Sequence, residues 1–112
     1  MIDLHTHTNF SDGTDSPAQL INKALAAGIS VIGLTDHDSV SGWQEATSAL
    51  RPGISLVPGA EISCQTLDGI SVHILGLLFD SQNVELMKTM EETRENRHGR
   101  MAKIIARINE AG

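Results

Sequence analysis

The chain opens on Ile2-Asp3-Leu4-His5, an alternation of apolar and polar residues with the period of a half-buried strand. Polar and turn-forming residues follow from Thr6 to Asp15. Ser16-Pro17-Ala18-Gln19 then places a capping serine, a proline at the first helical position and a glutamine three residues after the cap, so a helix starts there. Leu20, Ile21, Ala24 and Leu25 supply its buried stripe, and Gly28 ends it. Val31 to Leu34 is a short apolar run and reads as a fully buried strand. Ser41-Gly42-Trp43-Gln44 reads as a second capping box; its helix is expected to bury Trp43, Ala46 and Leu50 and to stop at Pro52-Gly53. Ile54 to Val57 forms a third strand. Strands alternating with helices over short connections imply an α/β fold, a parallel sheet or barrel, with the residues after each strand on one common rim.

Beyond Pro58-Gly59 the pattern changes. Glu61 to Thr66 and Val72 to Leu78 flank Asp68-Gly69, a strong hairpin signal. A plain two-residue turn there would pair Cys64 with His73 and leave Glu61 and His73 on opposite faces of the ribbon. If both serve one site, a bulge or an odd-length loop must intervene. From about Asn83 to Ala111 the period is helical, with Met87, Met90, Met101, Ile104, Ile105 and Ile108 on one face and Arg94 and Arg97 among them.

Composition narrows the possibilities. At 112 residues and 40% apolar content, one small core can form. A formal charge of −6, with two phenylalanines, one tryptophan and no tyrosine, argues against a broad nucleic-acid footprint or a stacking platform. An anionic substrate would need local cations or metal. A single cysteine excludes an internal disulfide, and no apolar run approaches the roughly 20 residues of a membrane helix. The start MIDLHTHT has no basic segment followed by an apolar stretch, so a cytoplasmic protein is expected.

The candidate chemistry lies on the predicted rim. In His5-Thr6-His7, alternation sends both imidazoles to one side, where they can share a metal ion, although His-x-His also occurs as two exposed histidines at a strand end. Asp12-Gly13 is ordinary turn chemistry when taken alone. Thr35-Asp36-His37-Asp38 concentrates two carboxylates and an imidazole at the end of the second strand, where open α/β sheets place ligands, and it could equally cap a helix. Glu61 sits in uncharged strand sequence, where a buried carboxylate without a partner is costly. His73 alone would pass for a core histidine. Their recurrence after strands one, two and three and within the hairpin points to one metal site.

These segments resemble the PHP (polymerase and histidinol phosphatase) hydrolases. The resemblance is carried by Asp3-Leu4-His5-Thr6-His7, Ser11-Asp12-Gly13, Thr35-Asp36-His37-Asp38, Pro58-Gly59-Ala60-Glu61-Ile62-Ser63 and Val72-His73-Ile74-Leu75-Gly76. It implies a distorted seven-stranded β/α barrel with two or three divalent ions, Mn, Zn, Fe or Mg, at the carboxyl ends of the strands. His5 and His7 would bind the first ion, Glu61 would bridge it to a second held by His73, and Asp12 and His37 would hold the third. Glu61, His37 and Asp36 are then the expected catalytic groups, Asp36 by orienting an imidazole. Clustered ions of this kind suit phosphoester hydrolysis by a metal-activated water.

The resemblance also gives the arginines a meaning. Arg94, Arg97 and Arg100 form an Arg-x-x-Arg-x-x-Arg run like that of PHP members acting on nucleoside bisphosphates or RNA 5′ ends, and they would clamp substrate phosphate. They could instead reach solvent or pair with Glu91, Glu92 or Glu95. The family pattern calls for a later histidine and an Asp-x-His pair; the one histidine after His73 is His98, on a predicted helix among arginines, and it cannot replace these ligands. Residues 1–112 therefore read as the amino-terminal portion of one PHP domain. Three functions fit: a phosphoesterase on nucleotides or short RNA, a small-metabolite phosphatase of the histidinol-phosphate type, or a non-catalytic metal-binding module like those of DNA polymerases.

Overall fold

The computed structural model describes residues 1–96. Four strands, β1 (Ile2–Thr6), β2 (Val31–Leu34), β3 (Ser55–Gln65) and β4 (Ser71–Leu77), form one sheet in that order. The first three are parallel, and β4 returns antiparallel to β3. Helices α1 (Pro17–Ala26) and α2 (Trp43–Ser48) make the two parallel crossovers. This is the α/β alternation expected from the pattern.

The start of α1 follows its sequence closely. Ser16 Oγ accepts from the Gln19 N–H at 3.2 Å, while Gln19 Oε1 accepts from the Ser16 N–H at 2.9 Å. Gly28 has a φ of 84°, which lets the Ile29 N–H reach the Ala24 carbonyl and the Gly28 N–H reach that of Leu25, satisfying the last free carbonyls of the helix. Ile21 and Ala24 are buried with Ile32 and Leu34 of β2, Ala46 of α2 and Ile54. Leu20, Leu25, Trp43 and Leu50 pack around this cluster.

Three local expectations change. Ser41 does not cap α2: Gly42 stands at the cap without a side-chain hydrogen bond, because Trp43 N–H turns back onto the Val40 carbonyl and the helix begins after that turn. The third strand does not end before Pro58-Gly59. It runs on to Gln65, pairing with β2 through Pro58 and with β4 from Gly59 onward. Proline is tolerated there because the strand changes partner at that point. Finally, β1 is less buried than its alternation suggested, with Ile2 64% and Leu4 38% exposed, since it is an edge strand with one neighbour.

Beyond β4, residues 84–96 form helix α3. Asn83 Oδ1 accepts from the Leu86 N–H at 3.0 Å, a side-chain cap on its first turn. Met90 is buried. The expected continuation through Met101, Ile104, Ile105 and Ile108, like Arg97 and Arg100, lies outside the described residues.

Candidate metal centre

Glu61 is the hub of the rim. Its N–H donates to the Asp36 carbonyl and its own carbonyl accepts from the Asp38 N–H, both at 3.0 Å, so β3 grips the loop after β2 on either side of His37. That pairing brings the Glu61 carboxylate against four imidazoles. Oε1 lies 3.0 Å from His5 Nε2; Oε2 lies 2.8 Å from His37 Nδ1, 3.6 Å from His7 Nε2 and 3.7 Å from His73 Nδ1. Asp12 closes the opposite side, 2.7 Å from His7 Nδ1 and 3.2 Å from His37 Nε2. The rings stand in a chain, His5 to His7 to His37 to His73, with centroids 4.5–5.3 Å apart.

His73 joins this ring because of hairpin register. It pairs with Ser63, and Glu61 pairs with Leu75, so alternation places Glu61, Ser63 and His73 on one face. The connection between Gln65 and Ser71 is residues 66–70, an odd number, as the shared face required. The Thr66 N–H donates to the Ile70 carbonyl at 2.9 Å and encloses residues 67–69, a loop one residue longer than the two-residue alternative, with Gly69 at φ 81°.

Among the described residues three ligand groups form: His5, His7 and Glu61; His7, Asp12 and His37; and His37, Glu61 and His73. All six expected ligands are brought together. His7 and His37 each serve two groups, a sharing the sequence did not reveal.

The chemistry of the ring fits divalent cations. His37 Nδ1 is buried and has no hydrogen-bond partner although Glu61 Oε2 is 2.8 Å away, so the two atoms are close without being bonded. Desolvation acts to raise the Asp12 carboxyl, but the charges of His7 and His37 and the hydrogen bond from His7 outweigh it and hold its pKa below the ordinary value. Imidazole nitrogens around a shared carboxylate suit zinc, iron or manganese.

Asp36 is corrected from its expected role. Among the described residues it bonds to no imidazole: Oδ1 accepts from the Thr8 N–H at 2.5 Å and the Ser11 hydroxyl at 2.8 Å, and Oδ2 accepts from the Thr8 hydroxyl at 2.6 Å. Asp36 is 2% exposed, and it fixes the loop that carries His7 and Asp12. Gly13 belongs to the same loop; a Cβ there would come within 2.6 Å of the His7 carbonyl oxygen, so no larger residue fits. Thr8, Ser11 and Asp38 were missed as supports. Asp38 is fully buried at φ 49°, with Oδ1 accepting from the Ser63 N–H at 2.8 Å. Its carbonyl accepts from Arg94 Nη1. Only the adjacency of Thr8 and Asp38 to ligand histidines could have drawn attention to them.

Known proteins share this arrangement of sequence. The chain is 37% identical over 111 residues to a 5′-3′ exoribonuclease of Haemophilus influenzae, covering 98% of this chain and 40% of that protein. It is 37% identical over 112 residues to a 3′,5′-nucleoside bisphosphate phosphatase of Chromobacterium violaceum, covering 99% and 39% respectively. A solved structure assigned to the metal-dependent phosphoesterases, from Bifidobacterium adolescentis, superposes with a TM-score of 0.89 at 34% identity over 97% of this chain and 38% of that one. The chain thus spans about two fifths of the length of the relatives it matches. The PHP domain model matches residues 3–108, and with its strands and ligands in place the chain belongs to the PHP domain family.

Proposed function

We propose that the full-length protein is a metal-dependent phosphoesterase that hydrolyses phosphate esters of nucleotides or short RNA. The observation that carries this reading is the Glu61 carboxylate ringed by His5, His7, His37 and His73, with the buried Nδ1 of His37 left without a hydrogen bond. The relatives named for exoribonuclease and bisphosphate phosphatase activity support the choice of substrate class.

His5, His7 and Glu61 would hold one ion; Glu61, His37 and His73 a second; and His7, Asp12 and His37 a third. Two or three ions of Mn, Zn, Fe or Mg bound there supply an activated water and offset charge on the phosphoryl oxygens. In the reaction a water oxygen bonds to phosphorus, the P–O bond to the leaving alcohol breaks, and the leaving oxygen takes a proton. Glu61 and His37 are the catalytic groups of this reading, because both would hold the ions, while Asp36 positions the loop of His7 and Asp12. Arg94, Arg97 and Arg100 are assigned to substrate phosphate, Arg94 with the donors not engaged at Asp38. A cytoplasmic location completes the proposal.

The test is a panel of phosphoesters given to the full-length protein with each metal in turn: a nucleoside 3′,5′-bisphosphate, a short 5′-phosphorylated RNA and histidinol phosphate. Hydrolysis of the first two, abolished by Glu61→Gln, is expected. Selective hydrolysis of histidinol phosphate would move the protein to the metabolite phosphatases.

A further inference from the structure

A groove of about 360 Å³ begins where the ligand ring ends. Its walls are Ser63 and Gln65 of β3, Ser71 and His73 of β4, and Thr93 and Asn96 of α3, with Cys64 and Val72 adding apolar surface. By strand alternation Ser63, Gln65, Ser71 and His73 share the face of Glu61, so groove and ring form one continuous surface joined at His73. Its lining among the described residues contains no carboxylate, lysine or arginine. The side chains of Gln65, Ser71 and Asn96 make no hydrogen bond to any described residue, whereas the Thr93 hydroxyl is engaged with the Thr89 carbonyl.

We infer that this groove receives the uncharged nucleoside part of the substrate, held by hydrogen bonds from Gln65, Ser71 and Asn96 while the phosphoryl group sits at the ring. The inference rests on the phosphoesterase reading and narrows its substrate. Amide and hydroxyl groups match sugar hydroxyls and base edges, which both donate and accept. An ammonium-bearing organic part would find no carboxylate among the described lining residues to pair with. With no phenylalanine, tyrosine or tryptophan among the described lining residues, recognition depends on hydrogen bonds more than on stacking.

The experiment compares a nucleoside monophosphate with methyl phosphate, which has no organic part to fill the groove, on full-length protein carrying Gln65→Leu or Ser71→Ala. Gln65 and Ser71 are exposed, so the fold should tolerate both. Each substitution removes one hydrogen bond and should raise KM for the nucleoside monophosphate about tenfold or somewhat less, with kcat and methyl phosphate hydrolysis unchanged. Gln65→Glu should go further and favour an aminoalkyl phosphate over the nucleotide. Equal losses on both phosphoesters, or none, would overturn the inference. Calorimetric binding of adenosine separates the two readings: if no phosphoester is hydrolysed but adenosine binds and Gln65→Leu weakens it, the groove stands and the phosphoesterase reading fails. If adenosine binding is absent or insensitive to both variants, the groove assignment fails even where hydrolysis is observed.

Discussion

Asp36 illustrates how a ring of histidines is held from beneath. Its two oxygens accept three hydrogen bonds from Thr8 and Ser11, and the loop they anchor returns Asp12 to within 2.7 Å of His7 Nδ1. Supports of this kind typically change metal affinity 10- to 100-fold when removed. Asp36→Asn would set an amide NH₂ against donors, so metal affinity of the full-length protein should fall within that range while the circular dichroism spectrum stays native. An unchanged metal titration would reduce Asp36 to a packing role. Asp38 carries a different load: a non-glycine residue at φ 49° costs roughly 1–3 kcal/mol and persists only where its surroundings hold it. Here the Glu61 carbonyl, the Ser63 N–H and Arg94 do so.

At the level of elements, the hairpin and α3 decide where the last ligand and the groove lie. Removing Leu67 would convert the connection 66–70 to an even length, and a one-residue slip would send His73 to the far face. Full-length protein lacking Leu67 should therefore lose metal held by the His37, Glu61 and His73 group while keeping that held by His5 and His7; undiminished metal content would show that the register tolerates the deletion. Arg94 joins α3 to the loop of His37 through the Asp38 carbonyl, which gives Arg94→Ala two separable outcomes. Loss of the tie should weaken metal binding with rescue by Arg94→Lys, whereas loss of a phosphate contact should raise KM at constant metal affinity. The elements themselves were largely readable, because the capping box at Ser16, the apolar run of β2 and the glycine at position 28 are local signals. The demand for an odd loop was readable too, since face-sharing is arithmetic. Ser41 misled because a capping pattern does not reveal a preceding turn, and the continuous β3 was hidden because strand pairing on either side of Pro58 depends on partners distant in sequence. Asp36 was placed correctly on the rim but given the wrong partner, a matter of side-chain direction that no spacing encodes.

At the scale of the whole molecule, the sheet has two edges among the described residues, β1 and β4. Ile2 and Leu4 on β1 and Ile74, Leu75 and Leu77 on β4 are all more than a third exposed, so each edge strand carries uncovered apolar side chains that favour association. No helix among the described residues is long and apolar enough to cross a membrane. The isolated 112-residue polypeptide should accordingly self-associate, visible as concentration-dependent sedimentation. Its ligand supply points the same way. The three groups draw on six residues by sharing His7, His37 and Glu61. No histidine other than His98 follows His73 to relieve that sharing, and the resemblance calls for one more histidine and an Asp-x-His pair. A catalytic ion needs about three protein ligands of its own beside an open position for water. The 112-residue polypeptide should therefore show negligible phosphoesterase activity even in excess Mn or Zn, while a longer polypeptide that supplies the further ligands should be active under the same conditions. Metal-dependent turnover by the short chain, lost on Glu61→Gln and rising with protein concentration more steeply than in proportion, would instead mean that two copies complete one another's ion sites.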